Sequence, residues 1–393
     1  MESETPDQPP LPTSCAEIEY ELDGHKLEIM GNGPDLRDML VKMIDEAQQY
    51  LKLYYYLFAD DESGRLVLAR LVRAARRGVD VRLMVDSFGS IETPRRFFAP
   101  LEKAGGKIGW FGSSLSTRSL IRNHQKMTIA DGHHAIVGGF NISDAYFGVP
   151  EDNCWADMGM RISGKEVATL ERWNDMLWEW VISPRQRLRA LRAMVRNWHD
   201  GRGTFRWLIG GPTNRLSPWA RTVRADLEKA KQADIVEAYF SPGNGMLARI
   251  RRVARRGKAR LILAAKSDNT TTIAAARLLY GPLLRAGTQI YEYQPCRLHM
   301  KLLAIDDAVY IGSANFDMRS LYLNVELMLR IEDREFAEKI RAFIDKRAEQ
   351  SLHVTPEKHK SRRTPLRLLK GWLSYFLVGI LDYKITRRLN FPE

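Results

Sequence analysis

Cysteine is scarce in this sequence, whose 393 residues include only Cys15, Cys154 and Cys296. The three lie far apart, are odd in number and show no C-x-x-C spacing, so neither a disulfide framework nor a structural zinc site is expected. Such sparing use of cysteine fits a protein that works in a reducing compartment.

Long apolar runs and acidic residues are also in short supply. No stretch reaches the roughly 18–20 apolar residues that cross a bilayer. Residues 1–16, rich in Pro, Ser, Thr and acids, lack the basic start and apolar centre of a signal peptide, and we expect them to be disordered. With 48 acidic against 60 basic residues, the formal net charge is +12. This excess favours anionic partners: nucleic acid, an anionic membrane surface or phosphorylated substrates.

The sequence is internally repeated. Ala75-Arg76-Arg77-Gly78 recurs as Ala254-Arg255-Arg256-Gly257, 179 residues later. His124-Gln125-Lys126 recurs as His299-Met300-Lys301, 175 residues later. Two markers in the same order with nearly equal offsets indicate a duplicated fold.

Each half alternates apolar strands with amphipathic helices. In the first half a predicted helix over residues 66–76 connects strands at 51–58 and 79–85. The second half repeats this order around a helix over 246–256. The alternation predicts an α/β fold with a largely parallel or mixed sheet in each half, and the repeat predicts pseudo-twofold symmetry between the halves.

We expect the chain to divide into five regions. They are a disordered N-terminus (1–16), a first α/β domain (17–183), a basic linker (184–204), a second α/β domain (205–352) and a basic, aromatic tail (353–393). In the tail, residues 371–381 carry no charge and are flanked by basic residues. That segment is too short to span a bilayer but suits a helix lying in the membrane interface; packing on the domain or on a partner is the alternative.

A histidine and a lysine recur at alternate positions of one predicted strand. His124 and Lys126 therefore point to the same face. The lysine can neutralise phosphate oxygens while the imidazole attacks phosphorus or moves a proton. Asp131 follows in a turn, and the next strand ends in Gly138-Gly139-Phe140-Asn141, where glycine backbone and the Asn141 amide can approach an anion.

The second copy repeats this chemistry. His299 and Lys301 share a strand face, Asp306 follows five residues after the lysine, and Gly312-Ser313-Ala314-Asn315 comes next. A single H-x-K is weak evidence, but two copies with the same downstream residues are not accidental.

The pattern resembles the phospholipase D superfamily, whose signature is H-x-K-x4-D followed by G-G/S-x-N, over roughly residues 18–352. Further segments are similar to the bacterial cardiolipin synthase branch: Trp155-Ala156-Asp157, Asn315-Phe316-Asp317-Met318-Arg319-Ser320 and Asn324-Val325-Glu326. The resemblance implies two pseudo-twofold related phospholipase D-like α/β/α sandwich domains that share one active site. The chain departs from the pattern in a second hairpin turn that is one residue tighter, and it looks like the shorter, peripheral type.

The resemblance also implies a mechanism without metal or other cofactor. One histidine forms a phosphohistidine, and the other protonates the leaving alcohol and then deprotonates the incoming one; the assignment implied here is His124 as nucleophile and His299 as acid/base. The remaining site residues implied are Lys126, Lys301, Asn141, Asn315, Gly139 and Ser313 at the phosphate, Asp157 orienting His124, Glu326 orienting His299, and Asp131 and Asp306 as motif acids that shape the turns.

The function implied is phosphatidyl transfer between phospholipids, phosphatidylglycerol or phosphatidylethanolamine, at an anionic membrane surface on the cytoplasmic face of a bacterial inner membrane. Water or serine as acceptor would make the chain a hydrolytic phospholipase D or a phosphatidylserine synthase. A nuclease or phosphodiesterase and a non-catalytic membrane tether are further alternatives. The apolar centre of the tail disfavours nucleic acid as partner, and the sequence leaves the oligomeric state open.

Overall fold

Two eight-stranded sheets, one in each half, form the framework in a computed structural model of the chain, which describes residues 16–112, 121–201, 203–213, 216–267, 270–362 and 364–376. The strands of the first half are β1 (Ile18–Leu22), β2 (His25–Met30), β3 (Tyr50–Tyr55), β4 (Asp80–Asp86), β5 (Lys107–Phe111), β6 (Lys126–Ala130), β7 (His134–Gly138), β8 (Trp155–Ala156) and β9 (Gly159–Ser163). Those of the second half are β10 (Phe205–Gly210), β11 (Gln232–Glu237), β12 (Phe240–Ser241), β13 (Lys258–Ala264), β14 (Gln289–Tyr293), β15 (Arg297–Leu298), β16 (Lys301–Ile305), β17 (Ala308–Gly312), β18 (Phe316–Asp317), β19 (Glu326–Glu332) and β20 (Ser351–His353).

Helices cover the sheets. They are α1 (Gly33–Glu46), α2 (Glu62–Arg76), α3 (Ala99–Lys103), α4 (Asp144–Phe147), α5 (Val167–Ile182), α6 (Leu188–Arg196), α7 (Pro218–Lys229), α8 (Asn244–Arg256), α9 (Thr270–Leu284), α10 (Met318–Tyr322), α11 (Arg334–Glu349), α12 (Pro356–Ser361) and α13 (Pro365–Tyr375), with 3₁₀ helices at Arg95–Phe98 and Pro150–Asp152. None of the helices in the described ranges combines the length and hydropathy needed to cross a bilayer.

The two sheets share one strand order, which confirms the predicted duplication. In the first sheet β9-β7-β6-β3-β4-β5 are neighbours, and in the second β19-β17-β16-β11-β13-β14 are neighbours in the same sense. Within these six strands, the last three are parallel to one another in each sheet, and the other pairings are antiparallel. The structure is therefore the expected pair of α/β domains with mixed sheets.

Local sequence explains where the elements begin and end. The carboxylate of Asp61 accepts the backbone N–H of Gly64 at 2.8 Å and so caps α2. Gly78 follows that helix with φ +95°, a conformation that favours glycine. The predicted strand over 51–58 ends earlier, at Tyr55, and the strand that carries the first H-x-K begins only at Lys126. His124 consequently lies in the segment that leads into the sheet.

The inner faces of the two sheets share one hydrophobic core. A single cluster of buried side chains includes Met127 and Trp173 from the first half and Trp207, Leu302 and Leu327 from the second. Helix α6, in the predicted linker, adds Leu191 and Val195 to the same cluster. Separate clusters lie on the outer face of each sheet. The shared core holds the two halves in one arrangement, so the two motif strands meet.

The predicted tail begins with α12 and α13, and α13 packs against α9. Gly371 of α13 sits close to the carbonyl of Ala274 on α9, where a side chain would reach van der Waals contact. The rest of the predicted interfacial segment, residues 377–381, lies outside the described residues, as do residues 1–15.

Candidate active site

The two motif histidines lie where the halves join. The backbone N–H of His124 donates to the carbonyl oxygen of Val325 in the second half at 2.8 Å. The backbone N–H of His299 donates to the carbonyl oxygen of Ala156 in the first half, also at 2.8 Å. Short parallel bridges precede both contacts, Asn123 with Val325 and β15 with β8. Each histidine segment is thus clamped to the opposite half.

Because of these bridges, each motif histidine pairs with a carboxylate from the opposite half. The Nδ1 atom of His299 lies 2.6 Å from Asp157 Oδ2, and that of His124 lies 3.4 Å from Glu326 Oε2. The sequence-based pairing of Asp157 with His124 and Glu326 with His299 is wrong. The carboxylates pair across the halves because the parallel bridges place the residues that follow Ala156 and Val325 beside the histidine of the other half. Each half therefore supplies the carboxylate that binds the histidine of the other half.

The histidines are held as neutral rings. His124 Nδ1 also lies 3.0 Å from the carbonyl oxygen of Ser313, which can only accept, so Nδ1 carries the proton. Burial, followed by the charge of Lys126, lowers the pKa of His124 to about 4. Burial together with the charges of Lys301 and Lys126 lowers the pKa of His299 well below its usual range. Both rings are therefore neutral at neutral pH, and that of His124 offers an unprotonated Nε2.

The two carboxylates differ in their protonation. Burial raises the pKa of Asp157 to about 7. Burial also acts to raise the pKa of Glu326, but the interactions with His124, Lys126 and Ser313 together outweigh it and the net pKa is lowered. Ser313 Oγ donates to Glu326 Oε2 at 2.5 Å and stabilises the charged form. Glu326 thus stays ionised beside His124, whereas the His299–Asp157 pair can exchange a proton near neutral pH.

Both motif lysines are buried beside the histidines. Lys126 and Lys301 are 1% and 0% exposed. Lys126 Nζ donates to the carbonyl oxygen of His124 at 2.6 Å, and Lys301 Nζ donates to that of His299. Burial lowers the pKa of Lys126 to about 7 and also lowers that of Lys301. Two desolvated ammonium groups in one centre favour an anionic ligand, which would restore their charge balance.

The two glycine-asparagine turns also reach this centre. Asn141 donates its Nδ2 to the hydroxyl of Tyr146 at 2.9 Å, and Asn315 Oδ1 is buried without a hydrogen-bond partner in the described part of the chain. A Cβ on Gly139 would lie 2.5 Å from Asp157 Oδ1, so only glycine lets that carboxylate approach. Phosphate binding by Asn141, Asn315, Gly139 and Ser313 stays a prediction.

Three further polar side chains at the centre were not assigned a role from the sequence. The ring of Tyr56 lies 4.9 Å from that of His124, and the hydroxyl of Tyr146 lies 3.4 Å from His299 Nε2. Glu237, fully buried opposite Lys301 in the β11–β16 ladder, has a pKa raised well above its usual value, with burial the main cause. Tyr56 and Glu237 lie at the ends of β3 and β11, the strands that pair with the two motif strands. Their position at the end of a neighbouring predicted strand is the sequence signal that could have identified them.

The motif acids lie outside the site. Asp131 and Asp306 close the far ends of β6 and β16, about 16 Å from the lysines at about 3.3 Å per residue. The carboxylate of Asp131 accepts backbone N–H groups of Gln48, Gln49 and Tyr50 at 2.8–2.9 Å. Asp306 accepts those of two residues at the start of β11. Their place among the catalytic residues is corrected: they fix the turns and the starts of the neighbouring strands.

Comparison with known proteins identifies the family. The sequence matches the family described as "Cardiolipin synthase, PLD-like domain" over residues 40–178 and 223–347. It is 29% identical to cardiolipin synthase A of Pseudomonas aeruginosa over 351 residues, 87% of this chain and 71% of that protein. It is 28% identical to cardiolipin synthase 1 of Bacillus cereus over 360 residues, 88% of this chain and 71% of that protein.

Among solved structures, the fold is similar to that of phosphatidylserine synthase from Haemophilus influenzae. The TM-score is 0.72 at 15% identity, with 92% of this chain and 95% of that chain covered. A polyphosphate kinase from Porphyromonas gingivalis gives a TM-score of 0.59 at 12% identity, covering 92% of this chain and 53% of that chain. These likenesses concern the fold alone.

A duplicated α/β fold with two buried histidine–lysine pairs in one centre defines a phospholipase D-type enzyme. The chain belongs to the cardiolipin synthase, PLD-like domain family. Its function is accordingly of the cardiolipin synthase type, that of a phosphatidyltransferase.

Proposed function

We propose that the chain transfers a phosphatidyl group from phosphatidylglycerol to a hydroxyl of a second phospholipid, which forms cardiolipin and releases glycerol. Where phosphatidylethanolamine is the donor instead, the group released is ethanolamine. The observation that carries the proposal is the crossed pairing of His124 with Glu326 and of His299 with Asp157. With each Nδ1 occupied, both Nε2 atoms are left for chemistry at one phosphorus.

The two steps use the histidines in turn. His124 Nε2 attacks phosphorus, the bond from phosphorus to the head-group oxygen breaks, and the proton held by the His299–Asp157 pair passes through His299 to that oxygen. His299 then takes the proton of the incoming hydroxyl, whose oxygen attacks phosphorus and releases His124. Lys126, Lys301 and the two asparagines stabilise the charge on the non-bridging oxygens.

Two differences between the histidines support this order of roles. The side chain of His124 is 13% exposed and that of His299 is 5% exposed, so His124 is the more accessible to a lipid. Ionised Glu326 suits the cationic ring that His124 becomes when it is phosphorylated. The Asp157 carboxyl, with its pKa near 7, suits the histidine that must accept and return a proton.

We also propose that the enzyme works at an anionic membrane surface, on the cytoplasmic face. Leu369, Trp372 and Leu373 of α13 and Phe376 directly after it are 48–66% exposed and follow one another at helical spacing. Lys358 and Lys360 precede this stripe in the sequence, and Lys370 lies within it. An apolar stripe with basic neighbours favours the interface of an anionic bilayer. Leu373→Glu should reduce cosedimentation with phosphatidylglycerol vesicles, whereas an unchanged bound fraction would contradict the assignment.

The transferase test is lipid mass spectrometry after incubation of purified protein with phosphatidylglycerol vesicles, with and without phosphatidylethanolamine. Wild type should form cardiolipin, and His124→Ala and His299→Ala should not. His133→Ala, in the exposed turn of the first half, is the matched control and should keep full activity. Phosphatidic acid alone would make the chain a hydrolase, and added serine would reveal phosphatidylserine synthesis.

Trapping the intermediate tests the order of roles. With donor lipid labelled at phosphorus, wild type quenched in alkali during turnover should carry acid-labile label on the peptide that contains His124. His299→Ala should carry less, because His299 also delivers the proton that the first step needs. Label on the peptide that contains His299, in the His124→Ala variant, would reverse the assignment. Absence of lipid turnover in wild type would contradict the proposed function itself.

A further inference from the structure

A large cavity lies in the second half, between α8, α9 and α13. Its volume is about 1230 Å³, above the roughly 300–1,000 Å³ typical of pockets for drug-sized ligands. Apolar side chains dominate its walls, among them Leu247, Ile273, Leu278, Leu368 and Tyr375. Neither His124 nor His299 is among its lining residues, so it is a site additional to the catalytic centre.

One end of the cavity reaches the vicinity of the phosphate site. Gly243 and Met318 line it there. Met318 is the first residue of α10 and follows Asn315 of the second motif by three positions. The intervening Phe316 donates its backbone N–H to Glu237, which is buried opposite Lys301. A ligand in this end would lie next to the segment that carries Asn315.

The other end opens at the proposed membrane face. Trp372 lines the cavity and also belongs to the exposed stripe of α13, with 62% of its surface accessible. Lys370 and Gly371 line the same end. The cavity therefore extends from the side that we place against the bilayer towards the side that holds the phosphate motif.

The charges around the cavity suit an anionic lipid. The buried carboxylate of Glu292 is neutralised by Arg277 at 2.8 Å and Arg362 at 3.0 Å. Arg251 and Lys266, which also line the cavity, form no ion pair within the described ranges. The rim is thus net positive while the walls are apolar. The chain's own residues 377–393 are a poorer match, because they include Lys384, Arg387 and Arg388.

We propose that this cavity holds one acyl chain of the phospholipid whose phosphate is bound at the histidine–lysine centre. The inference rests on the proposed function and adds to it a binding site for the lipid tail. A chain that enters beside Trp372 keeps apolar contact as it leaves the bilayer, so extraction of the head group toward the catalytic centre costs less hydrophobic free energy.

A kinetic comparison with a matched pair of substitutions tests the cavity. Ile273→Trp should fill it, and Ile182→Trp makes the same change at an exposed position of α5 in the first half. With dioleoyl-phosphatidylglycerol vesicles, Ile273→Trp should raise KM about tenfold with kcat nearly unchanged, the signature of lost uniform binding. With dihexanoyl-phosphatidylglycerol, whose tails are too short to fill the cavity, both variants should match wild type. Equal effects on the two lipids would overturn the inference.

A binding readout keeps this test separate from the transferase assay. Full-length wild type and His124→Ala would be irradiated with phosphatidylglycerol that carries a diazirine near the end of one acyl chain. Cross-links should map to peptides of α8, α9 and α13 in both proteins, whether or not lipid is turned over. Cross-links elsewhere, or on these peptides only after residues 377–393 are removed, would overturn the inference. Cross-links without turnover would contradict the proposed function and leave the cavity assignment standing.

Discussion

The crossed carboxylates make a prediction for single residues. Asp157→Asn should change the ring nitrogen resonances of His299 and leave those of His124 in place, and Glu326→Gln should do the reverse, because each acid holds Nδ1 of the opposite half's histidine. Loss of the orienting acid should lower kcat by about 10³–10⁴-fold, as in other histidine–carboxylate pairs. Nitrogen-15 NMR of labelled protein checks the pairing, and perturbation of the histidine in the same half would contradict it.

The pH dependence should follow His124 and Lys126. Because the pKa of His124 is lowered to about 4, its nucleophilic form persists down to that pH, and kcat/KM should fall only below about 4. Because the pKa of Lys126 is lowered to about 7, the ammonium loses its charge above neutrality, and kcat/KM should fall again there. The measurement is initial rate against pH with a phosphatidylglycerol substrate.

Lys126→Arg is the control for the alkaline limb. Arginine stays charged at all these pH values, so the variant, at a lower absolute rate, should show a shallower decline above pH 7 than wild type, since only loss of the proton of the His299–Asp157 pair then contributes. A profile that already falls at the usual histidine pKa of about 6.5 would contradict the assignment for His124.

At the scale of elements, Asp131 is expected to serve stability rather than catalysis. Asp131→Ala removes acceptors for three backbone N–H groups at the start of β3 and should lower the free energy of unfolding by about 1–3 kcal/mol. Asp306→Ala is the matched change at β11. Both should retain most of the wild-type kcat, measured below the unfolding temperature.

The stability difference should itself depend on pH. Burial tends to raise the pKa of Asp131, but hydrogen bonds from Tyr50, Gln48 and Gln49 lower it overall. A lowered pKa in the folded state contributes stability above the unfolded value of about 3.9 that is lost as the pH falls through the folded value. Urea unfolding at pH 7 and pH 3 should therefore show a smaller difference between wild type and Asp131→Ala at pH 3. A difference that grows in acid would contradict the role.

The elements also show what sequence can predict. The alternation of strands and helices and the repeated motifs follow from local patterns, so the duplicated α/β fold, the motif strands and the residues of the centre could be named. The histidine–carboxylate pairing could not, because it depends on two-residue bridges between halves, Asn123 with Val325 and β15 with β8. The pairing implied by the family resemblance kept both partners within a half.

The same limitation applies to the cysteines. Cys154 and Cys296 are far apart in sequence, yet their Sγ atoms lie 3.9 Å apart because they precede the paired strands β8 and β15. Both are free, buried thiols, and burial raises the pKa of Cys154 to about 12. Contacts of this kind are fixed by the packing of the halves, which no local pattern encodes.

On the scale of the whole molecule, the shared core predicts joint unfolding of the halves. The cluster that contains Met127, Trp173, Trp207 and Leu327 takes residues from both sheets, so neither half can lose its structure without exposing the other's apolar face. Differential scanning calorimetry should show one transition whose calorimetric and van't Hoff enthalpies agree. Two resolved transitions would mean that the domains are energetically independent.

The exchange of carboxylates has a consequence for how such a chain can evolve. Duplication ordinarily yields a redundant copy that is free to accumulate changes while the other preserves activity. Here each repeat supplies an acid that the other's histidine requires, so no redundancy remains. Loss of Asp157 in the first repeat disables the histidine of the second, and loss of Glu326 disables the histidine of the first. Selection must therefore act on both repeats as a single unit, while the residues outside this exchange can diverge.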